Sequence, residues 1–342
     1  MKVGILTGGG DCPGLNPAIR AAVMRLGDYG HETVGLSKGW LGLVEGLTQP
    51  LTLENVEEII SIGGTILGSS RTNPFKKDED LNKCLRNVKK LKLDAIIALG
   101  GEDTLGVAGR LYKLGIPTVG IPKTMDNDLS QTDYTFGFNT AVSVAVDAVD
   151  RLRDTAKSHS RTMVLEVMGR HAGWVALYTG IAGGADWILI PEVTPDLDEM
   201  CDHLKAVRNR GKSYSIVVAS EGINLPQVDE EGISVDAFGH VILRERGVGE
   251  YLAKEIEGRT GSETRSAVLG HIQRGGPPTV FDRVLATRLG LKAAEMVQAG
   301  EFGRMSAIQK NEIVSVDLEL AVSELKTVPI ELYEEAKLLF KR

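Results

Sequence analysis

Residues 94–128 read DAIIALGGEDTLGVAGRLYKLGIPTVGIPKTMDND, and this stretch decides the fold class. Asp94–Leu99 is a short, continuous apolar run, as expected of a strand buried on both faces. Gly100-Gly101 ends it. Apolar spacing then predicts a helix over about Thr104–Leu114, and Thr118–Ile121 is a second strand. Pro122–Asp128 follows as a polar loop. A strand, a helix and another apolar strand form the unit of a parallel sheet covered by helices on both sides.

The same alternation extends in both directions. Val3–Leu6 predicts a strand, followed by a glycine turn and a helix from about Asn16. Phe136–Ser158 predicts a long helix whose core stripe is Val142, Val146 and Val149. Thr162–Val167, Trp187–Ile190, Ser215–Ser220, Ala267–Leu269 and Ile313–Val316 predict strands. Trp174–Ile181, Thr279–Ala299 and Glu331–Phe340 predict helices. The fold class is therefore α/β with mainly parallel sheets. The 342 residues suffice for two domains or one large α/β unit. Gly222–Arg246 is polar and acidic and predicts a surface excursion.

Composition excludes several functions. The net charge of −7 argues against a general nucleic-acid footprint. No stretch approaches the roughly 20 apolar residues of a membrane helix. The run Met1–Thr7 is too short for a signal peptide. The three cysteines, Cys12, Cys84 and Cys201, have no C-x-x-C spacing, which fits a reducing cytoplasm. The six histidines have no recognised metal spacing. Gly211-Lys212-Ser213 resembles the end of a P-loop but precedes a strand, so it is discounted.

Glycine is in excess, 40 of 342 residues, and is clustered beside strand ends. In parallel sheets ligands gather outside the carboxyl ends of the strands. Gly8-Gly9-Gly10-Asp11-Cys12-Pro13-Gly14 offers backbone amides and a helix N-terminus to a phosphate, although it is equally a tight turn. Glu102 and Asp103 set two carboxylates beside the next glycine turn, suiting a Mg²⁺ ion held partly through water. Lys123, Thr124, Asp126 and Asp128 bring a cation, a hydroxyl and two carboxylates together. One carboxylate can take a proton from a substrate hydroxyl while the lysine offsets charge on a transferring phosphoryl group. Arg71, Arg161, Arg170, Arg265 and Arg274 lie near glycine-rich or strand-terminal positions. Five such forks in an acidic chain point to a multiply charged substrate.

The segments Gly8–Gly14, Gly63–Arg71, Gly100–Thr104, Pro122–Asp128, Val167–Gly173 and Gly270–Gly276 occur in the order and approximate spacing of the 6-phosphofructokinases, and nearly the whole chain resembles that family. NAD kinases and diacylglycerol kinases share a similar glycine–acid motif but lack counterparts of Lys123–Asp128 and Met168-Gly169-Arg170. The resemblance implies two three-layer (αβα) lobes. Residues 1–137 with about 273–322 would hold the phosphoryl donor. Residues about 138–272 with 323–342 would hold fructose 6-phosphate. It further implies that Asp126 is the base on the sugar 1-hydroxyl, assisted by Asp128, and that Thr124 contacts the sugar. Arg170 would stabilise the moving phosphoryl group. Met168, Gly169 and Glu221 would line the sugar, and His271 and Arg274 would hold its 6-phosphate. Arg161 and Arg265 would reach in from a neighbouring subunit of a homodimer or homotetramer. Gly10 and Arg71 would contact the donor phosphates, and Glu102 the Mg²⁺.

The donor turns on two positions. ATP-dependent members usually carry glycine where this chain has Asp103 and Lys123, whereas pyrophosphate-dependent members resemble it at both. An aspartate beside a nucleotide phosphate is also electrostatically unfavourable: at ~4 Å two like charges repel by about 1 kcal/mol in water and about 4 kcal/mol at an effective dielectric of 20. Lys123 would instead balance the leaving phosphate. The resemblance thus implies reversible transfer from pyrophosphate to fructose 6-phosphate. Glu102-Asp103-Thr104 also resembles bacterial members of mixed donor heritage, so an ATP-dependent enzyme is the second reading. A catalytically silent sugar-phosphate sensor is the third.

Overall fold

A computed structural model describes residues 1–225 and 246–340. Most of the excursion expected over Gly222–Arg246 lies outside them. The strands are β1 (Lys2–Thr7), β2 (Glu32–Leu36), β3 (Thr48–Pro50), β4 (Ala95–Gly100), β5 (Thr118–Thr124), β6 (Phe136–Gly137), β7 (Thr162–Val167), β8 (Trp187–Leu189), β9 (Ser215–Ser220), β10 (Thr264–Val268), β11 (Arg304–Gln309) and β12 (Glu312–Asp317). One sheet runs β12-β11-β5-β4-β1-β2-β3, with β6 paired beside the end of β5. The other runs β10-β7-β9-β8 and is parallel throughout.

The strands buried along their whole length take central places. All six residues of β4 are buried, as are all six of β7 and of β9. Each lies between parallel neighbours, with helices covering its faces. Among the named strands, antiparallel pairing is confined to the edges of the first sheet, where β3 meets β2 and β12 meets β11. The carboxyl ends of β1, β4 and β5 open onto the loop Gly8–Gly14, the turn at Gly101 that starts the helix Glu102–Lys113, and the loop Met125–Asp128, while β7 opens onto Met168–Gly173.

The differences from the sequence reading have local causes. The long helix spans Phe138–His159, because Phe136 and Gly137 pair with Lys123 and Thr124. Its deep stripe is Ala141, Ala145 and Val149. Val142 and Val146 are only half-buried, since the small alanines are what let neighbouring elements approach closely. The strand expected at Ala267–Leu269 is β10, beginning at Thr264. It is an edge strand with Arg265 and Val268 exposed, so its apolar residues do not mark its extent. The helix Asp78–Leu91 was not anticipated. Its three leading acids and two trailing lysines complement the helix dipole.

Asp282 joins the two halves. It lies near the start of the helix Val280–Ala299 and is fully buried. Its Oδ2 accepts bonds from the Thr140 amide at 2.8 Å and the Thr140 hydroxyl at 2.5 Å, capping the start of Phe138–His159. Burial pushes its carboxyl up to about 6, against the pull of these donors. Asp282→Ala should therefore lower the free energy of unfolding by roughly 2–3 kcal/mol, as buried charge-assisted bonds do. Urea denaturation measures the loss; an unchanged midpoint would exclude this cap as a significant contributor.

Candidate active site

The glycine loop after β1 is held from two sides. The Gly9 amide donates to Ser70 O at 3.1 Å, bringing the 63–71 segment over it. On the other side, Arg274 Nη1 donates to Asp11 O at 2.9 Å, and a Cβ added to Gly10 would sit 2.6 Å from that nitrogen. A side chain here would displace the guanidinium from its present place. Lys123, at the end of β5 and 3% exposed, donates its Nζ to the Gly10 carbonyl. Burial, with Arg274 nearby, holds the Lys123 ammonium below the usual lysine range.

Asp126 lies on the loop that leaves β5. Its amide donates to Thr124 Oγ1 at 3.1 Å. The residue is 5% exposed, and its Oδ1 is buried without a hydrogen-bond partner. Such an oxygen is costly unless a ligand donates to it. Asp128 shares the pocket. Burial first, and then the Asp126 charge, push its carboxyl up, while the Thr124 hydroxyl and Arg170 counter this. Asn127, between them, adopts φ +54°.

The turn after β7 carries Arg170 at φ +47°, a left-handed conformation that costs on the order of 1–3 kcal/mol in a non-glycine residue. Its surroundings impose it. The Gly169 and Arg170 amides both donate to Glu221 Oε1 at 3.4 Å, and the Met168 amide donates to Gln273 Oε1 at 2.8 Å. A Cβ on Gly222 would sit 1.5 Å from Arg170 O, so the chain after β9 must have glycine there. Burial, then the charge of Asp126, push the Glu221 carboxyl up to about 7.

These loops enclose a narrow cleft of about 70 Å³ lined by Gly10, Arg71, Glu102, Asp103, Lys123, Thr124, Asp126, Asp128, Arg170 and Arg274. Ten of the sequence-predicted residues thus meet in one place. Met168, Gly169 and Glu221 form its adjoining backbone support. His271 is exposed on the short helical turn Gly270–Arg274. Arg161 and Arg265 lie elsewhere, at the amino ends of β7 and β10, paired with Glu263 at 2.7 and 2.6 Å. Six-residue β7 separates them from the Arg170 turn by about 20 Å. Lys212, in the discounted P-loop-like triplet, is bound to Asp186 at 2.5 Å.

Among the described residues, no group of three or more His, Cys, Asp or Glu side chains is placed to hold a metal ion by itself. The carboxylates of Glu102, Asp103, Asp126 and Asp128 instead line an open cleft beside amide-rich turns. That donor set fits Mg²⁺, which keeps several waters and shares oxygens with bound phosphates. Glu102 and Asp103 also border a hollow of about 430 Å³ reaching along the helix Glu102–Lys113 to Leu318 and Val322.

Sequence reasoning missed the supports. Gln273 is fully buried and also donates to Ala141 O at 3.3 Å, tying the long helix to Met168. It stands between His271 and Arg274, so its motif was in view, but a buried amide has no periodic signature. Glu192 accepts the Gly173 amide at 2.9 Å from a distant loop, for which no sequence signal exists.

The phosphofructokinase family model matches residues 2–297. A pyrophosphate--fructose 6-phosphate 1-phosphotransferase from Dictyoglomus thermophilum is 56% identical over 346 residues, covering 100% of this chain and 99% of that protein. An ATP-dependent 6-phosphofructokinase 3 from Streptomyces coelicolor is 48% identical over 342 residues, covering 98% of this chain and 99% of that protein. Among solved structures, Pichia pastoris phosphofructokinase in the T-state is similar, with a TM-score of 0.82 and 32% identity. The match covers 99% of this chain and 37% of that longer one. Among the described residues, no helix is long and apolar enough to cross a membrane.

The raised Glu221 carboxyl has a thermodynamic consequence. Between about 4.5 and about 7 the native protein keeps a proton there that the unfolded chain releases. Stability from this group is full below that window and is lost as pH rises through it. Glu221→Gln should therefore flatten the fall in unfolding free energy over this range, measured by denaturant titration at several pH values. An unaltered slope would show that Glu221 does not carry the proton.

Proposed function

The chain belongs to the phosphofructokinase family, and within it we propose that it transfers a phosphoryl group reversibly between pyrophosphate and the 1-hydroxyl of fructose 6-phosphate. The products are fructose 1,6-bisphosphate and inorganic phosphate. The observation that carries this reading is the buried, unpartnered Oδ1 of Asp126 in the same cleft as Lys123 and Arg170. That oxygen is ready to accept the C1 hydroxyl proton. The freed sugar oxygen then bonds to the terminal phosphorus, and the bridging P–O bond breaks toward the leaving phosphate. Arg170 offsets charge on the phosphoryl group in flight, Lys123 that on the leaving phosphate, with Gly10 and Arg71 holding the donor. Thr124, Met168, Gly169 and Glu221 orient the sugar, and His271 and Arg274 its 6-phosphate. Because Arg274 reaches Asp11 as well, it would also couple the two substrates.

Mg²⁺, held by Glu102 with the donor phosphates, would neutralise phosphate oxygens. The two sheets support a division into a donor lobe (1–137 with about 273–322) and a sugar lobe (about 138–272 with 323–342). The far position of Arg161 and Arg265 supports their service to a neighbour's sugar site, in a homodimer or homotetramer. Three buried free cysteines suit the cytoplasm. ATP is the second reading, favoured by the hollow beyond Asp103 and the 48% identical ATP-dependent relative.

Purified protein supplied with Mg²⁺, fructose 6-phosphate and either donor separates the readings. Turnover with pyrophosphate is expected; turnover with ATP alone would defeat the donor assignment, and none with either would favour a sensor. Asp126→Ser should lower kcat by roughly 10²–10⁴, whereas a near-normal kcat would remove the residue from proton transfer. Asp103→Gly with Lys123→Gly should shift the ratio of kcat/KM values toward ATP. A ratio that stays put would overturn the charge argument.

A further inference from the structure

Lys326 lies nearly 200 residues from the loop it grips. Its backbone amide donates to Asp128 O at 2.8 Å, and Leu325 bridges Leu129 in antiparallel register. Its Nζ donates to Asn127 Oδ1 at 3.1 Å, Thr132 O at 2.9 Å and Asp133 O at 3.0 Å. All three ammonium donors are therefore used, on neutral oxygens. Asn127 Oδ1 also accepts the Thr135 amide at 3.0 Å. Asn127 is the left-handed residue between Asp126 and Asp128, so its side chain sets how those two carboxylates are presented.

The same segment grips the other half of the cleft. Lys326 O accepts the Trp174 indole N–H at 2.9 Å, and the Lys326 ammonium stands 5.5 Å from the Trp174 ring centroid. Trp174 begins the helix that follows the Arg170 turn. Two residues on, the Val328 amide donates to Glu192 Oε1 at 2.8 Å, and that carboxylate also accepts the Gly173 amide. Residues 325–328 thus connect the Asp126 loop directly to the end of the Arg170 turn.

We propose that Lys326 is a positioning residue for phosphoryl transfer, holding Asp126 and Arg170 in register by binding Asn127 with its ammonium and Trp174 with its carbonyl. The assignment rests on the reading of Asp126 and Arg170 as the groups that act on substrate. Burial holds the ammonium down at about 8, with Asp128 and Asp133 favouring its charged form. The ammonium is thus held in a half-buried place, where all its bonds go to backbone and amide oxygens. Lys326 lines no part of the cleft itself, so its loss should leave substrate contacts in place while misaligning the reacting groups.

The test is steady-state kinetics of the full-length protein with fructose 6-phosphate, pyrophosphate and Mg²⁺. Lys326→Met and Asn127→Gly should each lower kcat by about 10–100-fold, the scale of an ångström-sized misplacement. Both KM values should stay within about twofold. The double variant should lose clearly less than the product of the two single losses, because the Lys326–Asn127 contact is common to both. Multiplying losses, or KM values that rise with kcat unchanged, would overturn the proposal. If Lys326→Met does not fold, Asn127→Gly decides, since it retains the lysine and the left-handed backbone. Asp126→Ser run alongside keeps the failures apart. A near-normal Asp126→Ser takes down the underlying reading and this inference together. An impaired Asp126→Ser beside a near-normal Lys326→Met sinks this inference alone.

Discussion

The cleft depends on keeping Asp126 buried with one oxygen unsatisfied. Removing a carboxylate from water is unfavourable, and so is leaving it without a donor. Two neighbouring carboxyls are buried beside it, and burial first, then the Asp126 charge, acts on them. The Asp128 and Glu221 carboxyls are both pushed up, which limits the negative charge accumulating where polyanionic substrates would enter. Lys123 and Arg170 lie close enough to compensate without occupying the Asp126 oxygen. A phosphoryl-transfer site needs that balance: enough positive charge to accept phosphates, and one carboxylate still available for a proton.

The loops that maintain the balance come from two sheets, and their relative placement is overdetermined. Arg274 crosses to the Asp11 carbonyl, Gln273 reaches Met168 and Ala141, and residues 325–328 join both sides. These bonds run between elements distant in the chain, so they keep a strained feature such as the Arg170 turn in place. They also give the site its stiffness. A transfer reaction gains from reactants held in near-attack geometry, and such geometry survives only if the supporting backbone does not drift.

The donor question has the same physical form. Asp103 sits at the border between the phosphate cleft and the neighbouring hollow. Space for a larger group exists there, so exclusion of a nucleotide would rest on charge and on the local shape around residue 103. That is a narrower condition than a closed wall.

The apolar runs of β4, β7 and β9 by themselves determined central parallel strands, because a strand buried on both faces has few alternatives. The glycine–acid and lysine–aspartate clusters at strand ends marked the chemistry, since those residue types are costly to place together without a ligand. Tertiary structure alone decided which distant groups complete the site. Nothing near Lys326 or Glu192 in the chain signals that they tie the two loops together, and only the sheet shows Arg161 and Arg265 at the end away from the Arg170 turn. Burial of Asp126 Oδ1 was likewise beyond sequence reading. Local propensity depends on neighbours in the chain, whereas desolvation and long-range hydrogen bonds depend on neighbours in space.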